Sequence, residues 1–264
     1  MKSRVVLCVA TVAFLGLGFH ARVVAAPQIG VSFYNPSNGM TGPLTNLPST
    51  NLTLGLVAPR DVRQSFWNDL AGGPNNGSGS QTGLIDSSGA STTATITWTG
   101  TDIDALSDWI SGTDDRLMLM GAIINVFEGP LVVSMSDVPV EYLGPNGFDL
   151  VVYADPEFVG NVQTVSVLSG STLVAGPLVM TDNQTSLGIT PFDPLVHYDD
   201  ASVDSIGNYV VFAGLATSAF EIHVSSENLK LINGIQLVAN PIPEPTAVGV
   251  SLLMGMLLTR RVRL

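Results

Sequence analysis

The sequence predicts an all-β fold, an antiparallel β-sandwich or jelly roll with one or two short helices, flanked by an N-terminal signal helix and a C-terminal apolar helix. Three observations predict it. Short runs rich in Val, Ile, Thr and aromatic residues recur through the middle of the 264-residue chain. Clusters of Gly, Pro, Asn, Asp and Ser separate them, and helical periodicity is nearly absent. Strands this closely spaced, without long helices between them, build layered antiparallel sheets.

Taken in order, residues 1–25 read as a secretory signal for the Sec translocon. Lys2 and Arg4 give a basic start, Val5 to Phe19 an apolar run, and Val23-Val24-Ala25 the small residues before a cut. Cleavage after Ala25 suits the sequence best, because a cut after Ala26 would leave Pro27 directly behind the scissile bond. The alternative is a retained membrane anchor, for which the run is near the lower length limit. Cys8, the one cysteine, lies inside this signal, so residues 26–240 contain no disulfide, thiol nucleophile or thiolate metal ligand. About 215 residues between the two ends are enough to bury a single core without covalent staples.

Within residues 26–240 the expected strands are Val31–Tyr34, Leu52–Val57, Ala94–Thr99, Leu117–Ile124, Leu131–Met135, Phe148–Tyr153, Val162–Leu168, Leu173–Met180, Tyr209–Ala213, Phe220–Val224 and Leu231–Val238. The Leu117–Met120 run is apolar at every position, which marks a strand buried on both sides. Ser65–Ala71 and Ile103–Ile110 are the two short-helix candidates; in the second, Ile103, Leu106 and Ile110 share one helical face. The stretches 72–90 and 182–207 read as long surface loops.

Charge narrows the partners. Removing the two ends leaves 21 acidic residues against Arg60, Arg63, Arg116 and Lys230, a net charge of −17. A surface of that sign repels nucleic-acid backbones and anionic lipid, so no nucleic-acid partner is expected. It suits a solvated extracellular protein, and it would attract divalent cations.

The C-terminus, residues 241–264, is organised differently. Pro241, Pro243 and Pro245 stiffen a linker, the apolar stretch Thr246 to Thr259 follows, and Arg260, Arg261 and Arg263 close the chain. Fourteen helical residues would span about 21 Å, short of the roughly 30 Å hydrocarbon core, and the arginines favour the cytoplasmic side. Pro243-Glu244-Pro245, the apolar stretch and the Arg-rich end together resemble a PEP-CTERM protein-sorting domain. That resemblance implies recognition by an exosortase, an integral-membrane transpeptidase, with removal of the tail near Pro243, Glu244 and Pro245. It also implies a transient inner-membrane anchor, a final location on the outer surface or in the extracellular matrix of a Gram-negative bacterium, and the company of exopolysaccharide and biofilm systems. An ordinary C-terminal membrane anchor is the alternative.

More loosely, residues 28–239 resemble galactose-binding-like jelly-roll ectodomains, on Phe66-Trp67-Asn68, Asp115-Arg116-Leu117-Met118 and Ile232-Asn233-Gly234-Ile235-Gln236-Leu237-Val238. The resemblance implies that the last of these is a closing strand beside the first.

No motif nominates a catalyst. His197 and His223 are the two histidines outside the signal, and no zinc-protease helix, nucleophile elbow or phosphate loop is present. No catalytic residue and no required cofactor is therefore expected. For calcium, the candidate ligands are Asp102, Asp104, Asp108, Asp114 and Asp115, although Leu106, Ser107 and Thr113 break the EF-hand pattern. The bland reading of the same aspartates is the charged face of a short helix, with Thr101 or Asp102 as its cap. Trp67, Trp109 and Tyr198 are the candidate sugar-stacking contacts, and Trp98 reads as core. The leading expectation is a non-enzymatic envelope protein associated with extracellular polysaccharide. The alternatives are a structural protein bridged by divalent cations and a hydrolase using paired carboxylates.

Overall fold

A computed structural model describes residues 26–34, 64, 66–71, 77–105, 121–154, 160–181 and 200–240. The architecture is a mostly antiparallel β-sandwich. Its strands are β1 (Gln28–Tyr34), β2 (Trp67–Ala71), β3 (Ser78–Thr82), β4 (Thr95–Thr99), β5 (Asp102–Ala105), β6 (Gly121–Asn125), β7 (Leu131–Ser136), β8 (Phe148–Tyr153), β9 (Val162–Ser169), β10 (Thr172–Thr181), β11 (Tyr209–Leu215), β12 (Phe220–Ser225), β13 (Lys230–Ile232) and β14 (Gly234–Ala239). Among the described residues, one four-residue helix, α1 (Ala201–Asp204), and a 3-10 turn at Val140–Tyr142 accompany them.

The strands form a five-stranded sheet ordered β11-β8-β14-β1-β2, a six-stranded sheet ordered β10-β9-β12-β7-β4-β3, and a small sheet ordered β13-β6-β5. Simple alternation builds the six-stranded sheet. Leu131, Val133 and Met135 of β7, Ile96 and Trp98 of β4, and Phe220, Ile222 and Val224 of β12 face inward, while their neighbours face solvent. From the five-stranded sheet come Ile29, Val31 and Phe33 of β1, Leu150 and Val152 of β8, and Ile235 and Leu237 of β14. Phe33 meets Trp98 edge-on across the core at 5.9 Å, and Phe148 meets Phe220 at 5.8 Å.

The closing strand lies beside the first. β14 pairs antiparallel with β1, from Gln28 opposite Val238 to Ser32 opposite Gly234. The expected strand Leu231–Val238 is in fact two, because Asn233 breaks it. Asn233 is fully buried, and its side chain donates to the Gly121 carbonyl at 3.0 Å, so β13 joins the small sheet while β14 joins the large one. Gly234 must follow, since a Cβ there would sit 2.8 Å from the Val31 carbonyl oxygen. Of the expected strand Leu117–Ile124, residues 121–124 fall in β6, the middle strand of the small sheet, and the Leu117–Met120 run lies outside the described residues.

Three expectations are corrected. Ser65–Ala71 is not a helix: Trp67–Ala71 is β2, parallel to β1. Asn68 fixes it there, its amide donating to the carbonyls of Gly30 and Ile85 while its oxygen accepts from the Ile85 N–H. A buried amide with all these bonds made holds a strand better than local propensity holds a helix. The start of Ile103–Ile110 is likewise a strand, β5, paired with β6, so Asp102 is a strand residue and not a helix cap. The stretch 72–90 contains β3 and a tight turn at Asp86–Ala90, and 182–207 contains α1. Leu52–Val57 and both flanking helices lie outside the described residues.

Candidate functional site

At one end of the sandwich two loops face each other across a cleft of about 480 Å³. One loop, 126–130, joins β6 to β7. The other, 225–229, joins β12 to β13. The lining includes Phe127, Glu128, Ser226, Glu227, Asn228 and Lys230. Phe127 is 69% exposed and Val126 59% exposed, so the first loop presents apolar surface to solvent.

Buried amides hold both loops. Asn125 accepts from the Phe127 N–H at 3.0 Å and donates to the Pro130 carbonyl at 3.2 Å, which closes the first loop on itself. Gly129, at φ 88°, supplies the left-handed residue that this turn needs. In the second loop, Ser226 donates to the Val162 carbonyl at 2.8 Å and accepts from the Asn228 N–H at 3.1 Å. Asn161 donates to the Leu229 carbonyl at 3.1 Å. Lys230 then ties the loops together: its Nζ donates to the Phe127 carbonyl at 2.9 Å, while the residue as a whole is 8% exposed. The aromatic ring is therefore presented outward on a backbone held from below. A site ordered before binding loses less entropy when it is occupied.

The residues nominated from the sequence that the structure describes are not part of this lining. Trp67 is on β2, 3% exposed, on the outer side of the five-stranded sheet. Its ring fills the place where a Gly30 side chain would stand, 2.8 Å from an added Cβ, and it lies 6.3 Å from the Tyr153 ring. It is packed as a core residue is, with no open face for a sugar. Trp98 is a core residue at 8% exposure. Asp102 and Asp104 are both on β5, while Asp108, Trp109, Asp114, Asp115 and Tyr198 lie outside the described residues. So do Ala25, Pro243, Glu244, Pro245, Arg260, Arg261 and Arg263, and His197. Ala26 stands two residues before β1. Among the described residues no group of three or more His, Cys, Asp or Glu is arranged to hold a metal ion. His223 faces outward on β12 and contacts the Glu221 carboxylate at 2.7 Å.

The cleft residues were not singled out from the sequence, although a signal exists. Val126-Phe127 is an apolar pair that runs straight into Glu128-Gly129-Pro130, a turn, which places a large ring where water should be.

No family model matches the chain, and no curated protein matches it. Among solved structures it is similar to a calcium-binding mutant of Bacteroides uniformis beta-glucuronidase 2, at 11% identity and a TM-score of 0.32. The alignment covers 72% of this chain and 22% of that one, so this chain spans less than a quarter of the other protein's length.

Proposed function

We propose that this chain is an exported, non-enzymatic β-sandwich of a Gram-negative cell envelope that associates with extracellular polysaccharide through the cleft around Phe127. One observation carries the reading: a solvent-facing aromatic ring flanked by carboxylates, an amide and hydroxyls on two pre-ordered loops. A pyranose presents polarised C–H bonds to the negative face of an aromatic ring and hydroxyls to the polar groups around it. Both needs are met here by Phe127 with Glu128, Ser226, Glu227 and Asn228.

The ends of the described domain fit removal of the flanking segments. β1 begins at Gln28, just after the proposed cut between Ala25 and Ala26. The last tethers are those of Asn240, whose side chain donates to the Asn146 carbonyl and to the Asp149 carboxylate. Cutting at the signal and near Pro243-Glu244-Pro245, by an exosortase in the second case, would leave every described strand whole.

A hydrolase needs one carboxylic acid kept protonated by an apolar pocket. Glu128 and Glu227 are both open to solvent, which favours binding over cleavage. The test is retention of the full chain on immobilised matrix polysaccharide, with the flow-through assayed for reducing ends. Retention lost severalfold in Phe127→Ala, with no sugar released, is the expected result; an aromatic stacking contact is worth roughly 0.5–1.5 kcal/mol. Unchanged retention in Phe127→Ala, or release of reducing ends, would overturn the reading.

A further inference from the structure

We infer that the cleft selects glycans bearing free amino groups, a refinement that rests on the glycan-binding reading above. The charge inventory of the site carries it. The lining holds two exposed carboxylates, Glu128 and Glu227, and one ammonium, Lys230. That ammonium is engaged within the protein, and little of the residue reaches solvent. It is the only Lys or Arg among the described residues, it is buried, and it donates to the Phe127 carbonyl, so its work is to hold the ring's backbone in place. Besides it, the lining offers a ligand an exposed aromatic residue and two exposed carboxylates.

That combination recognises a cation. An ammonium placed over an aromatic ring is attracted by the ring's negative face, and nearby carboxylates add to the attraction. A sugar carrying its amine beside the ring hydroxyls offers both features in one unit: C–H bonds for stacking and a charge for Glu128 or Glu227. The wider field has the same sign, since residues 26–240 carry 21 acidic residues against four basic ones. Such a field concentrates polycations near the cleft and turns away polyuronates. Asn228 and Ser226 supply hydrogen-bonding groups for the remaining hydroxyls.

The experiment compares three β-1,4-linked hexamers that differ only at carbon 2: glucosamine with free amines, N-acetylglucosamine, and glucose. Affinities for the full chain in mild detergent are read by calorimetry at pH 6. The amine-bearing hexamer should bind about tenfold more tightly than the other two. The advantage should shrink when salt is raised from about 50 mM to about 500 mM, and again when pH is raised to deprotonate the amine.

Two double variants separate a site from a general attraction of opposite charges. Glu128→Gln with Glu227→Gln should abolish the amine preference, bringing the amine-bearing hexamer to the level of the other two. Asp137→Asn with Glu141→Gln removes the same charge from exposed positions outside the cleft lining and should leave the preference intact. Equal binding of all three hexamers, a preference that survives the cleft variant, or equal loss in both variants would overturn the inference while the glycan reading stood. If no hexamer bound and Phe127→Ala changed nothing, both would fall together.

Discussion

The outer face of the six-stranded sheet carries Ser134, Thr164, Ser166, Glu221 and His223, all partly exposed, whereas that of the five-stranded sheet carries Gln28, Ser32, Tyr153 and Gln236, all buried. On the first face, polar side chains meet water and need no partner. On the second they must find partners in the protein, and they do. Tyr153 donates to the Gln236 amide oxygen at 2.9 Å, and the Gln236 Nε2 donates to Gln28 at 2.9 Å and to Gln64 at 3.3 Å. Ser32 donates to the Asp69 carboxylate at 2.6 Å. Polar residues on the two sheets thus look alike in the sequence and differ completely in what losing them should cost.

The largest effect is expected where that network converges. Gln236→Leu takes one hydrogen-bond partner each from Tyr153, Gln28 and Gln64 inside the protein, and should cost about 3 kcal/mol in denaturant unfolding. Thr97→Val, on the exposed face of the other large sheet, should change stability by less than about 0.5 kcal/mol. Similar values for the two would erase the distinction between the faces.

A buried polar group that lacks a partner should behave in the opposite way. The Tyr142 side chain is fully buried and its hydroxyl has no hydrogen-bond partner among the described residues. Burial pushes its ionisation well above the ordinary range, with the Asp86 and Glu141 carboxylates adding to the push. Tyr142→Phe removes the orphaned group and keeps the ring, and should raise stability by about 1 kcal/mol.

A small, pH-dependent effect belongs to a polar group that is paired yet near solvent. Partial burial alone would raise the Asp86 carboxyl. Hydrogen bonds from the Ser88 hydroxyl and from the backbone of Ser88, Ala90 and Gly89 outweigh it and hold the group below the usual carboxylate range. Because its folded value is depressed, its contribution is complete above the ordinary carboxylate pKa and is lost as pH falls through the folded value. Asp86→Ala should therefore lower the melting temperature slightly at pH 7, and the difference from the parent should vanish in strong acid.

How much of this was legible follows from the same contrast. Strands with one wet face, such as Leu131–Met135 and Phe220–Val224, were located to within a residue because alternation marks them directly. β8 was also found, from its unbroken Val, Leu and aromatic content. β2 and β5 were misread as helices, since each is short and each owes its conformation to a partner: β1 and Asn68 for one, β6 for the other. Sequence spacing carries no record of such pairing. Trp67 illustrates the same limit for sites. An aromatic residue beside Asn and Asp suggests a ligand contact, but the absence of a side chain at Gly30 creates a seat that buries it. Phe127 reached the surface for the converse reason: it lies on a turn that Asn125 and Lys230 hold open from beneath.

The most direct measurement is an amide correlation map of the isotope-labelled protein, titrated with a polysaccharide fragment that it retains. Shifts should be confined to residues 126–130 and 225–230, with lesser changes at Asn125 and Asn161 beneath them. Shifts centred on another part of the molecule, or none at saturating ligand, would contradict binding at the cleft.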